Sequence, residues 1–171
     1  AYFQRGRSYQ GLNDYLKAEK DYEKSIALEA TEPKAYYNYG TLRFLQKDYD
    51  GAISYFTKTL QLSPDFVNAL NDRGSSHRMK GDYPKAIADY TKVIEAEPKV
   101  SDVYHNRGLV YITQQKYVEA IADFTKVIEL DPKKVFANNS RGLAYNNLKQ
   151  YPEAIKDFTK AIELEPEYAD A

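Results

Sequence analysis

Two histidines, His77 and His105, are the side chains in this sequence best suited to general-base chemistry or to holding a transition metal. Neither has a second histidine or a carboxylate at ligand spacing, and the chain contains no cysteine, so no metal site and no thiolate chemistry are expected. No glycine-rich phosphate loop, nucleophile elbow or catalytic triad pattern occurs either, so the expectation is a protein that is not an enzyme and needs no cofactor. The ionic pattern is more informative. Arg5, Arg73, Arg107 and Arg141 are each followed sixteen residues later by an aspartate, Asp21, Asp89, Asp123 and Asp157. The corresponding pair in the remaining stretch is Tyr39 and Tyr55, so both members change together. That covariation predicts four structural ion pairs, because a charge held between helices without its partner carries a desolvation penalty of several kcal/mol.

The elements that hold these residues are set by a period. Gly6, Gly40, Gly74, Gly108 and Gly142 stand 34 residues apart, and Ala18, Ala52, Ala86, Ala120 and Ala154 follow each by twelve. Tyr22, Phe56, Tyr90, Phe124 and Phe158 lie one helical turn beyond each alanine, and Pro64, Pro98, Pro132 and Pro166 close four of the five repeats. Ala120, Phe124, Val127 and Ile128 fall at i, i+4, i+7 and i+8, which is the spacing of an amphipathic helix; no period-two strand pattern appears. Each repeat then reads as two helices. The first ends near Gly81 or a polar pair such as Lys47-Asp48, and the second starts around Asp82-Tyr83-Pro84 or Gln150-Tyr151-Pro152, with proline in the first turn where its missing N–H costs nothing. Small glycine and alanine mark where the two helices cross closely, and the aromatic fills the wider gap beside them.

Counted from two residues before its first helix, the fourth repeat carries Tyr104, Gly108, Tyr111, Tyr117, Ala120, Phe124 and Pro132 at places 4, 8, 11, 17, 20, 24 and 32. This resembles the tetratricopeptide repeat, over nearly the whole chain. The resemblance implies an all-α fold, a right-handed superhelical α-solenoid of antiparallel helix-turn-helix repeats. The expected divisions are 1–32, 33–66, 67–100, 101–134 and 135–168, with 169–171 opening a further unit. The first repeat is the most divergent, with Glu19 where later repeats carry isoleucine. No solvating helix follows Ile162 and Leu164, which suggests a segment of a longer protein or an end that faces a partner.

In that family the first helices line a concave groove. The places that face a ligand hold Tyr37, Asn38, Thr41, Phe44, Asn71, Asp72, Ser75, Arg78, His105, Asn106, Asn139 and Asn146, which are the expected groove residues. Asparagine is frequent among them, and its amide offers a donor and an acceptor to an extended peptide backbone whatever the peptide's side chains. Asn38 and Asn106 share one row with Asp72 and Ser140, and that row is the foremost expected contact. A branch of the family grips C-terminal carboxylates with lysine, arginine and asparagine from three successive first helices. No window here supplies that set, and Asp72 and Asp102 would repel a carboxylate. His77 and most of the 17 tyrosines fall on the repeat's structural places and are expected in the packing.

Lys and Arg total 24 against 25 Asp and Glu, so there is no net field to draw nucleic acid or an anionic membrane, and neither is an expected partner. No apolar run approaches the roughly 20 residues that cross a bilayer, so membrane insertion is not expected. No targeting segment is visible, which leaves compartment open with the cytoplasm as default. The expected function is a non-catalytic scaffold binding a peptide segment or partner protein in the groove. The alternatives are an array that self-associates through uncapped ends, and a substrate-binding arm of a larger enzyme.

Overall fold

The computed structural model describes residues 1–167, and all regular structure in that span is helical. The helices are α1 (Tyr2–Gly11), α2 (Tyr15–Leu28), α3 (Pro33–Leu45), α4 (Tyr49–Leu62), α5 (Val67–Met79), α6 (Tyr83–Ala96), α7 (Ser101–Thr113), α8 (Tyr117–Leu130), α9 (Val135–Asn147) and α10 (Tyr151–Leu164). The further unit expected at 169–171 lies outside the described residues. The chain divides into two compact units, residues 1–89 and residues 90 onward, with the division inside α6.

Local chemistry sets the helix ends. Asp14 and Asp48 cap α2 and α4 by accepting the Lys17 N–H at 3.3 Å and the Gly51 N–H at 2.9 Å. Pro33 opens α3 and Pro152 lies in the first turn of α10, where no intrahelical N–H is needed. Between the two helices of every hairpin one residue takes a left-handed conformation: Asn13, Lys47, Gly81, Gln115 and Lys149, with φ of 59°, 62°, 78°, 59° and 60°. The next residue's N–H then reaches back five positions, as Asp48 does to the Arg43 carbonyl at 2.9 Å and Lys116 to the Tyr111 carbonyl at 2.9 Å. This satisfies a carbonyl the helix end would leave orphaned.

In the first compact unit, α1 packs on α2 and α3 on α4, while α2 lies against α3 and α4 against α5. Its core contains Ala18, Tyr22, Tyr39 and Leu42, then Ala52, Phe56 and Ala69. In the second, α7 packs on α8, α8 on α9 and α9 on α10, around Tyr104, Val127 and Ala137 and then Ala120, Phe124 and Ala144. The periodic glycines have a steric reason. A Cβ placed on Gly40 would sit 2.7 Å from the Phe56 ring, and on Gly108 2.7 Å from the Phe124 ring. First and second helices therefore touch through backbone on one side and an aromatic ring on the other.

Candidate functional site

Arginine at place 7 of a first helix meets aspartate on the second helix of the same hairpin. The contacts are forks: Arg107 Nε and Nη2 donate to Asp123 at 2.9 and 2.7 Å, Arg141 to Asp157 at 2.7 Å each, Arg73 to Asp89 at 2.8 and 2.7 Å, and Arg5 to Asp21 at 2.7 and 2.8 Å. Bidentate geometry of this kind is the strong form of the arginine–carboxylate bond. The hydrogen bond that Asp21 accepts from Arg5 holds its carboxyl below the usual range, and the bonds that Arg107 and Arg141 donate to Asp123 and Asp157 push these arginines up, so the guanidiniums stay charged. Arg73, Arg107 and Arg141 are mostly enclosed in these pairs, whereas Arg5 makes its pair at the surface.

The third donor of the fork reaches out of its own hairpin, a contact the sequence reading missed. Arg73 Nη1 donates to Thr57 at 3.2 Å, Arg107 Nη1 to Thr91 at 2.9 Å and Arg141 Nη1 to Thr125 at 3.0 Å, each threonine lying sixteen residues upstream on the preceding helix. The signal was present, because Thr57, Thr91, Thr125 and Thr159 are themselves 34 apart. Where the arginine is replaced by Tyr39, that threonine place holds Glu23, and the Tyr39 hydroxyl lies 3.0 Å from both Glu23 Oε1 and Glu19 Oε1. Tyr39 also stacks on Tyr55 with centroids 4.2 Å apart, and Arg43 bonds to both Glu19 and the Tyr39 oxygen. Glu19, the anomaly of the first repeat, is thus the partner of the anomaly in the second.

In the first compact unit, α1, α3 and α5 lie side by side. Between α3 and α5 is a pocket of about 210 Å³ lined by Thr41, Phe44, Phe56, Asp72 and Ser75. Tyr37 at its edge packs its ring on Phe56 and Phe66, at centroid distances of 5.8 and 4.9 Å, and its hydroxyl donates to Asp72 Oδ2 at 2.8 Å. Asn71 Nδ2 donates to Asp72 Oδ1 at 3.0 Å. No cationic side chain pairs with Asp72 among the described residues, and burial pushes its carboxyl above the ordinary range. Burial, with the Asp72 charge beside it, raises the Tyr37 phenol, so Tyr37 remains a donor. The Asn71 Oδ1 atom is buried and accepts no hydrogen bond. The Asn71 amide cannot be turned round without setting its oxygen against Asp72, so this acceptor is fixed in place. Asn38 is half-buried, and its amide donates to the Lys34 carbonyl of its own helix at 2.8 Å, which leaves its oxygen and one N–H for a ligand. The Thr41 hydroxyl likewise donates within its helix, to Tyr37 O at 3.1 Å. Arg78 is half-buried with its Nε buried and unpaired.

In the second compact unit, the first helices α7 and α9 are neighbours. His105 sits against Phe136 and Phe124, with ring centroids 4.4 and 5.6 Å away. Asn106 is half-buried and Asn146 exposed. Asn139 departs from expectation: it is only 7% exposed, so it belongs to the packing of α9 and not to an open surface, and its Oδ1 too is buried without a partner. Asp102, expected to face a ligand, is held by Lys134. His77 is buried in the first unit, with Nδ1 3.8 Å from Asp82, and burial lowers its pKa, so it is neutral near pH 7. Among the described residues no group of histidines and carboxylates is gathered as metal ligands.

Models of the tetratricopeptide repeat match residues 3–66, 67–100, 101–134 and 135–168. Comparison with curated protein sequences yields no match. Among solved structures the chain is similar to the MamA protein, at 26% identity and a TM-score of 0.91 over 98% of this chain and 92% of that one. It is also similar to MamA from residue 41 to its end from Desulfovibrio magneticus RS-1, at 23% identity and a TM-score of 0.92 over 98% and 95% of the two chains. A third likeness is to YrrB, a repeat protein of this type with an unusual peptide-binding site, at 20% identity and a TM-score of 0.87 over 99% and 87%. At such identities the last two speak for the fold, which is an all-α helical solenoid.

Proposed function

The chain belongs to the tetratricopeptide repeat family, and we propose from this that it is a non-catalytic scaffold whose first-helix face binds a peptide segment of a partner protein. The observation that carries the reading is the Asn71 and Asp72 pair between α3 and α5. A carboxylate without a cation is costly in a free protein, and a ligand with N–H groups in the pocket would satisfy Asp72, which Asn71 holds in place. The oxygen of Asn38 on the neighbouring helix adds an acceptor suited to backbone amides. YrrB is a precedent for peptide binding on this fold, and no more than a precedent.

The test is to pan a library of linear peptides on the whole chain and to titrate the enriched sequences by calorimetry. Binding that falls at least about tenfold in Asn71→Ala, with helicity unchanged, is the expected result. A library that enriches nothing, or peptides indifferent to both Asn71 and Asn38, would end the groove reading. A second reading rests on α10, which exposes Tyr151, Ile155 and Ile162 at i, i+4 and i+11 on one helix face. Self-association through that face predicts a sedimentation coefficient that rises with concentration and stops rising in Ile155→Lys.

A further inference from the structure

The pocket of the first compact unit has a composition that a generic peptide groove does not require. Its volume of about 210 Å³ is below the range of pockets that enclose a whole small molecule, and suits one side chain. The wall includes the aromatic ring of Phe44, and the polar groups are Asp72, Thr41 and Ser75. Asp72 is its charge. Each carboxylate oxygen already accepts one hydrogen bond, Oδ2 from Tyr37 and Oδ1 from Asn71, and these hold the group in one orientation. One further acceptor position remains on each oxygen, which is the pattern that a planar guanidinium satisfies with two parallel N–H bonds. An ammonium offers a point charge and cannot make that fork, and a guanidinium also stacks on an aromatic face.

We propose that this pocket is the specificity pocket of the groove and takes an arginine side chain of the bound peptide, with Asp72 as its counter-charge and Phe44 as its stacking wall. The proposal rests on the peptide-groove reading and adds the class of side chain selected. Tyr37 and Asn71 are positioning residues here: they orient the Asp72 carboxylate and do not themselves meet the guanidinium. The half-buried Asp72 carboxylate gains a cation on binding, which makes the selection one of charge as well as of shape.

The probes are acetyl-Ala-Ala-Arg-Ala-Ala-amide and its analogues with citrulline or lysine in place of arginine, titrated against the whole chain by amide-resolved NMR. Citrulline keeps the shape of arginine and removes the charge. The expected result is that the arginine peptide shifts the amide signals of Thr41, Phe44 and Ser75, with affinity about tenfold or more above the citrulline peptide and several-fold above the lysine one. Asp72→Asn, which keeps an acceptor for Tyr37 and so keeps the fold, should abolish the arginine preference; Tyr37→Phe should reduce it less. Equal binding of arginine and citrulline peptides overturns the proposal while leaving the groove reading intact. An arginine preference that survives Asp72→Asn, or no shift at these residues with any of the three peptides, overturns it as well. The groove reading fails separately, when the peptide library enriches no sequence at all.

Discussion

Removing Asp123 is expected to be among the most destabilising single changes in the chain, although it lies on no ligand-facing surface. Its side chain is 6% exposed and that of Arg107 is 16% exposed, so the carboxylate is buried and the guanidinium largely shielded. Breaking such a pair by deleting one member costs about 3–5 kcal/mol, because the survivor is left charged and desolvated. Asp123→Ala leaves Arg107 with the Thr91 hydroxyl at 2.9 Å and the Tyr104 and Tyr111 rings about it but no counter-charge, which places the loss at about 3 kcal/mol. Arg107→Ala leaves the more deeply buried carboxylate and should cost at least as much. The double change removes both charges and should lose less than the sum by about 2–3 kcal/mol. Arg107→Tyr with Asp123→Tyr copies the stacked Tyr39–Tyr55 solution of the second repeat and should be milder than either single alanine variant. Urea unfolding followed by circular dichroism gives the cycle, and hydrogen exchange at α7 and α8 amides reports the same hairpin if the repeats melt in parts. Arg5 is 58% exposed, so the Arg5–Asp21 cycle should show much weaker coupling. Single variants that lose under 1 kcal/mol, or a cycle additive to within about 0.5 kcal/mol, would refute the reasoning.

Three further outcomes follow from the geometry. Gly108→Ala improves helix propensity but drives a Cβ to 2.7 Å from Phe124, so it should destabilise by about 1–3 kcal/mol in thermal or urea unfolding; a neutral or stabilising result would mean the helices separate freely. Gln115→Gly should stabilise by a few tenths to about 1 kcal/mol because Gln115 holds φ of 59°, whereas Gly81→Ala, with open space around its Cβ, should lose about 1 kcal/mol through its φ of 78° alone. Asp72→Asn should raise the melting temperature at pH 7. Burial raises the folded pKa of Asp72, so its ionisation opposes folding: the contribution is fully present below the unfolded pKa and is lost as pH rises through the folded one. The gain from Asp72→Asn should therefore shrink as pH falls below the folded pKa, and a gain independent of pH would show that the charge is not its source.

Much of the fold was legible because the period is strict. Gly6 to Gly142 and Ala18 to Ala154 mark the helix crossings of each hairpin, and the residues that end the first helices, Asn13, Lys47, Gly81, Gln115 and Lys149, recur at the same interval. Arg107 and Asp123 meet inside one hairpin, where the sixteen-residue spacing alone brings two helices place to place. The candidate site was legible only as a set of positions. Asp72 reads as a member of the foremost row and Tyr37 and Asn71 as further groove residues, and nothing in their spacing says that Tyr37 donates to Asp72 or that one Asn71 oxygen is buried without a partner.

Sequence alone determined the helices, their pairing into hairpins and the class of fold, since these depend on backbone propensity and on side chains within one 34-residue repeat. Tertiary structure decided what happens where one hairpin meets the next. It gave Arg107 to Thr91, made Glu19 the partner of Tyr39 and Arg43, buried Asn139, and shaped a pocket around Asp72. Those outcomes turn on rotamers and on the depth of each side chain between stacked helices, and helical periodicity carries neither.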